Sequence, residues 1–169
     1  MFHVGIDVGT NTSGPQILME RLGWQLKDAI IASGIYFMFR MTGCFIGSFL
    51  LAKFSQKIIF AVSVGLILAA MGGLFVFQTK WPLYVCFAMI GLGNANIFPV
   101  IFSQALLCVP QKQNEVSGLM IMGLIGGAIF PLLMGYMADL MRSQTGSVIV
   151  LTVSILFLCG LTTKIKKIS

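Results

Sequence analysis

The stretch 61–77, AVSVGLILAAMGGLFVF, decides the fold of this chain. It runs 17 residues without a charge, and its apolar residues fill odd and even positions alike. A strand spanning a membrane as part of a barrel alternates lipid-facing apolar residues with polar ones over about ten residues. This stretch does not alternate. A backbone in lipid must satisfy its own hydrogen bonds, so the remaining choice is a helix. Similar blocks recur on both sides of it along the whole chain. Six apolar spans are expected, at about 2–18, 29–51, 58–78, 82–104, 115–137 and 147–163. Each approaches the roughly 20 residues that a membrane-crossing helix needs.

Composition agrees. The 169 residues are 57% hydrophobic and 9% charged, with a mean hydropathy of +0.96. Soluble domains carry about 25% charged residues. The expectation is an all-α polytopic membrane protein, a single six-helix bundle over residues 1–169. Only short connectors separate the spans: ERLGWQLKD, AKFSQK, QTKWP, PQKQNEVSG and DLMRSQTGS. In the fourth, Asn114 is expected to cap the next helix, with Glu115 favoured in its first turn by the helix dipole. The opening MFHVGIDVGTNTSG lacks the basic start of a signal peptide.

The net charge of +6 does not point to nucleic acid, because its distribution follows the connectors. An even number of spans puts both termini on one side. Lys53, Lys57, Lys112, Lys164, Lys166 and Lys167 then share that side, facing Arg21, Lys27, Lys80 and Arg142 on the other. The positive-inside rule makes the richer side cytoplasmic. Cys44, Cys86, Cys108 and Cys159 lie in or beside apolar spans without a CxxC pair, and read as packing residues. His3 is the only histidine. No metal site and no cofactor is expected. An enzyme is disfavoured: no paired acid and base, nucleophile–histidine set or ligand cluster is present. No ring-forming selectivity motif suggests a channel.

The polar residues inside the spans carry the function. At about 100° per residue, His3, Asp7, Thr10, Asn11 and Gly14 form one stripe of the first helix. Gly5, Gly9 and Thr12 fall opposite. One face would pack and the other would line an aqueous cavity; a ligand-free hydrogen-bond network is the alternative. Arg40 sits at the centre of the second span, where a charge costs roughly 2.5–3.5 kcal/mol on insertion scales. Ser33, Tyr36, Gly43, Cys44 and Gly47 share its stripe. Asp7 is the only acidic residue deep in a span, so it is the expected partner of Arg40. The alternative is a purely structural ion pair. In the fourth span, GLGNANIFPVIFSQAL, Asn96 and Ser103 share one face while Asn94 and Phe98 share nearly the opposite one. Pro99 removes a donor and frees carbonyls near Ala95 and Asn96. Amides beside an aromatic face suit a sugar, whose hydroxyls need hydrogen bonds and whose C–H surface needs a ring. Helix-to-helix hydrogen bonding accounts for the same residues taken singly. Gly126, Gly127 and Pro131 permit a bend in the fifth span. Gly5 and Gly9, Gly43 and Gly47, and Gly123 and Gly127 stand at small-xxx-small spacing for close packing.

GLGNANIFPVIFSQAL, SGLMIMGLIGGAIFPLLMGYMAD, FRMTGCFIGSFLL and VGIDVGTNTSGPQIL together resemble the carboxy-terminal half of the fucose permease/glucose–galactose transporter family of the major facilitator superfamily. The loop LLAKFSQKIIF departs from the superfamily's signature loop in lacking acidic residues and arginine. The resemblance implies secondary sugar transport by alternating access, with a hexose as substrate and a proton as coupling ion. It puts Arg40 and Asp7 at cavity-facing charged positions of the eighth and seventh helices. Asn94, Asn96 and Phe98 fall on the lining stretch of the tenth. The expected substrate-binding set is Asp7, Asn11, Arg40, Asn94, Asn96 and Phe98. Family members have twelve spans in two halves, with substrate at the midplane. A chain of six spans therefore reads as a truncated or split protein needing an amino-terminal six-helix half or a homodimer partner. Its expected place is a bacterial inner membrane, with both termini cytoplasmic. The reading from a different class is a non-transporting membrane interaction protein or remnant.

Overall fold

Seven α-helices and two short 3₁₀ turns make up the described residues of the computed structural model, which are 2–23, 25–77, 79–141, 143 and 145–162. The helices are α1 (Phe2–Leu22), α2 (Leu26–Lys53), α3 (Gln56–Val76), α4 (Lys80–Cys108), α5 (Gln113–Met122), α6 (Gly126–Met141) and α7 (Thr145–Thr162). The 3₁₀ turns Pro110–Lys112 and Gly123–Ile125 precede α5 and join α5 to α6. Gln78, Arg142, Lys164, Lys166, Lys167 and Ser169 lie outside the described residues.

Four segments are long and apolar enough to cross a bilayer: Leu26–Lys53, Gln56–Leu74, Lys80–Cys108 and the rod Pro110–Met141. A shorter apolar helix runs over Ile149–Gly160. At 1.5 Å per residue the 28 residues of α2 reach about 42 Å, more than the roughly 30 Å of hydrocarbon they would cross. Large apolar side chains face outward, as a lipid solvent requires: Phe49 is 76% and Leu132 74% exposed.

Local chemistry closes the elements. Gly23, at φ 60°, donates its N–H to the Met19 carbonyl at 3.0 Å, the left-handed cap that glycine adopts without strain. Asn114 does not cap the fifth span as expected. The proline at the start of the 3₁₀ turn Pro110–Lys112 pre-sets helical φ, so the helical path begins earlier and Asn114 lies inside the first turn of α5. Glu115 is in that turn and pairs with Lys112 at 3.1 Å on the surface. The break in the fifth span falls at Gly123–Ile125, about two turns ahead of Pro131 and directly before Gly126 and Gly127.

Glycine brings the helices together. A Cβ on Gly43 would press on Ala95 and Leu92 of α4, and one on Gly47 on the Asn96 amide. A Cβ on Gly93 would come within 2.7 Å of the Ser63 carbonyl of α3. Gly5 and Gly9 lie under Phe130 and Met134 of α6, and Gly127 faces Val4 and Val8. Thus α2, α3 and α4 form one packed group and α1, α6 and α7 another. The groups join through α1 on α2 and α3 on α7. The buried core includes Tyr36, Phe60, Ile67, Ile90 and Ile97 from the first group, and Ile6, Met134 and Ile155 from the second.

Candidate functional site

Asp7 stands in the second turn of α1, on the face away from Gly5 and Gly9. Its opposite neighbour is the middle of α2, where Tyr36 and Arg40, four residues apart, rise on one face of the helix. The Arg40 guanidinium makes a salt bridge with the Asp7 carboxylate. The Tyr36 hydroxyl donates to the same carboxylate oxygen. Two charges that would each be costly in lipid neutralise one another there.

α4 completes the arrangement. Asn94 donates from Nδ2 to the Tyr36 hydroxyl at 2.9 Å. The ring of His3 meets the Asn94 backbone oxygen at 3.2 Å through Nε2; with the proton on that nitrogen it donates, leaving Nδ1 as an acceptor. Phe98, one turn beyond Asn94, lies with its ring centroid 6.1 Å from that of His3. Asn11 reaches back along α1 from Nδ2 to the Asp7 carbonyl at 3.0 Å. A continuous polar chain therefore runs Arg40–Asp7–Tyr36–Asn94–His3 across three helices.

The chain keeps unused hydrogen-bonding capacity. The buried atoms His3 Nδ1, Thr10 Oγ1, Asn11 Oδ1, Ser33 Oγ and Asn94 Oδ1 have no partner within the described protein. A buried polar atom without a partner costs about 1–3 kcal/mol. A ligand rich in hydroxyl donors would satisfy such acceptors. The Arg40 side chain is 31% exposed and that of Asp7 15%, so the ion pair stands at the edge of the protein's packed interior.

Of the expected set, Asp7, Asn11, Arg40, Asn94 and Phe98 come together. Asn96 does not. Two residues along a helix turn the side chain by about 200°, and Asn96 points between α2 and α3, donating to the Gly43 carbonyl at 3.4 Å. Ser103 follows the same face and accepts from Gln56 of α3 at 3.0 Å. The Ala95 carbonyl, four residues before Pro99, accepts from the Cys44 thiol at 3.8 Å. Tyr36 is the residue that the expected set lacks: it touches both Asp7 and Asn94. Its signal in the sequence was a phenol one turn from an intramembrane arginine, since a buried tyrosine hydroxyl needs a partner. Among the described residues there is no cluster of three metal-ligating side chains.

The chain matches the family model described as Major Facilitator Superfamily over residues 2–165. It is 44% identical over 50 residues to a "Glucose/galactose transporter" of Brucella abortus, a match covering 30% of this chain and 12% of that protein. It is 31% identical over 121 residues to a Helicobacter pylori (strain J99) protein provisionally named a glucose/galactose transporter, covering 70% of this chain and 29% of the relative. The matched segments thus span less than a third of those relatives' length.

Proposed function

Because this chain belongs to the major facilitator superfamily and is a multi-pass membrane protein, we propose that it forms the carboxy-terminal wall of a hexose-binding cavity. Transport of glucose, galactose, fucose or a related hexose would run by symport with protons and by alternating access. The observation that carries this reading is the Arg40–Asp7–Tyr36–Asn94 chain with its unpartnered acceptors beside Phe98. Asp7 and Arg40 would orient hydroxyls as a neutral pair. Asn11 and Asn94 would offer amide oxygens, and Phe98 a face for sugar C–H groups. The names of these relatives favour the same substrate class. No covalent chemistry is involved.

The second wall would come from another six-helix unit or a second copy of this chain. A cavity of this kind needs two halves that rock about a midplane site. Labelled hexoses should therefore accumulate in cells making this chain together with a six-helix amino-terminal half. The chain alone should give at most background uptake. Strong concentrative uptake by the isolated chain would refute the two-wall arrangement, and no uptake of any hexose by the pair would refute the substrate class. A non-transporting interaction protein would give the second result while still forming a stable complex with the added half.

The orientation we propose has six spans, both termini cytoplasmic and the inner membrane of a bacterium as its place. Single cysteines at Ser55 and Gln113, in a background without the native cysteines, should react with an impermeant maleimide only from the cytoplasmic side. Cysteines at Gln25 and Ser143 should react only from outside. Mixed accessibility within either pair contradicts the orientation.

A further inference from the structure

α2 and α3 both pack closely on α4 but hardly on one another. The gap between them is a groove of about 420 Å³, with one wall running from Gly43 to Leu50 on α2 and on to Phe54 just past it, and the other from Ile58 to Leu66 on α3. Leu92 and Asn96 form its floor. Apart from Asn96 and Ser63 the lining carries no polar side chain, so the groove suits a hydrocarbon and not a sugar. From Gly43 to Phe54 it measures about 16 Å at 1.5 Å per residue. That is close to half of the roughly 30 Å hydrocarbon thickness, the depth of one leaflet.

The end of the groove at the α2–α3 turn has a different chemistry. Lys53 follows the lining residues of α2 and Lys57 precedes those of α3. Neither has a carboxylate partner among the described residues. Between them Ser55 occupies the N-cap of α3 without making a side-chain cap. Its Oγ is buried and has no partner. The first amides of α3 thus lack a side-chain acceptor, and a helix start in that condition favours an anion. Gln56 adds a polar layer at the same level, donating to Ser103 at 3.0 Å and accepting from Gln104 at 2.7 Å.

We propose that this groove binds an anionic phospholipid. One acyl chain lies between α2 and α3, and the phosphate rests on Lys53, Lys57 and the start of α3. The length of the groove matches one leaflet, and the charge at its mouth matches the headgroup. The proposal depends on the chain lying in a membrane and not on the sugar reading, so either can fail alone.

The test is lipid retention by the detergent-solubilised chain. It uses native mass spectrometry and the thermal midpoint, with phosphatidylglycerol, phosphatidylcholine of identical acyl chains, and inorganic phosphate as probes. Phosphatidylglycerol should be held at one per chain and raise the midpoint more than phosphatidylcholine. Lys53→Gln and Lys57→Gln should each weaken its binding about fivefold, from the usual contribution of one basic residue near an anionic surface. The pair together should weaken it about 25-fold. Val62→Trp, which fills the groove from an exposed position, should weaken both lipids alike. Equal retention of the two lipids with no effect of the lysine changes would overturn the headgroup assignment. Displacement of phosphatidylglycerol by inorganic phosphate at similar concentrations, or indifference to Val62→Trp, would overturn the acyl-chain assignment.

Discussion

Arg40→Ala is expected to abolish hexose uptake by the assembled transporter and to lower the yield of folded protein sharply. The substitution leaves the Asp7 carboxylate with the Tyr36 hydroxyl as its only side-chain donor among the described residues. Breaking a fully buried pair by removing one partner costs about 3–5 kcal/mol in soluble proteins, an upper bound for this part-buried one and still a large part of the 5–15 kcal/mol that a typical fold possesses. Asp7→Ala should be comparably severe, because Arg40 then loses its only ion-pair partner among the described residues. The double substitution separates stability from binding. With both charges gone no orphan remains, so yield and thermal midpoint should recover while uptake stays lost. Strictly additive losses in the cycle would show that the two residues do not interact. Recovery of uptake as well would reduce the pair to a structural role. Tyr36→Phe removes one neutral donor and should cost less, about 0.5–1.5 kcal/mol, with a larger effect on uptake than on stability.

Gly91→Ala should be nearly as damaging through packing alone. A Cβ at Gly91 would collide with the Tyr36 carbonyl oxygen and stand 3.2 Å from the Arg40 amide nitrogen. Both obstacles are backbone, so no side-chain rotation relieves them, and α2 must move away from α4. Overpacking of this kind costs typically about 1–3 kcal/mol. The displacement falls at the residues that hold Asp7, so uptake should drop further than the midpoint indicates. Gly65→Ala is the matched control. A Cβ there meets nothing within 4 Å, and replacing glycine inside a helix by alanine is favourable by roughly 0.5–1 kcal/mol. An equal response of the two variants would mean that close approach of α2 and α4 does not position the site.

The contrast between Gly91 and Gly43 shows how far the sequence could be read. Gly43 and Gly47 stand four apart in α2, and that spacing alone predicts close packing. Gly91 stands four before Ala95, a small pair too, but in a run with Gly93 that spacing does not say which glycine meets which neighbour; the crossing of α2 and α4 beside Tyr36 does. The same limit applies to the polar residues. A charge at the centre of an apolar span needs a counter-charge, and Asp7 was the one acid deep enough to supply it, so that pair was legible. Which asparagine joined it was not. Asn94 and Asn96 differ by two positions, and helical rotation sends them to opposite sides of α4, one to Tyr36 and the other to the groove below α2 and α3. The pattern showed two faces without saying which faced Asp7. The helical break illustrates a third case. Gly126, Gly127 and Pro131 marked a weak segment, whereas the 3₁₀ geometry lies at Gly123–Ile125, too far ahead of the proline for its missing donor to cause it and next to the glycine pair, where backbone freedom eases a tightened turn.

Sugar protection of single cysteines tests whether the face carrying Asp7, Arg40 and Asn94 is the hexose-binding wall. Asn11→Cys and Phe98→Cys place thiols on that wall, and Val62→Cys places one on the groove face, all in a background without native cysteines. In the assembly with an amino-terminal half, a transported hexose should slow modification at positions 11 and 98 by a small thiol reagent and leave position 62 unchanged. Unchanged rates at 11 and 98 with every transported hexose, or protection at 62 instead, would contradict the account.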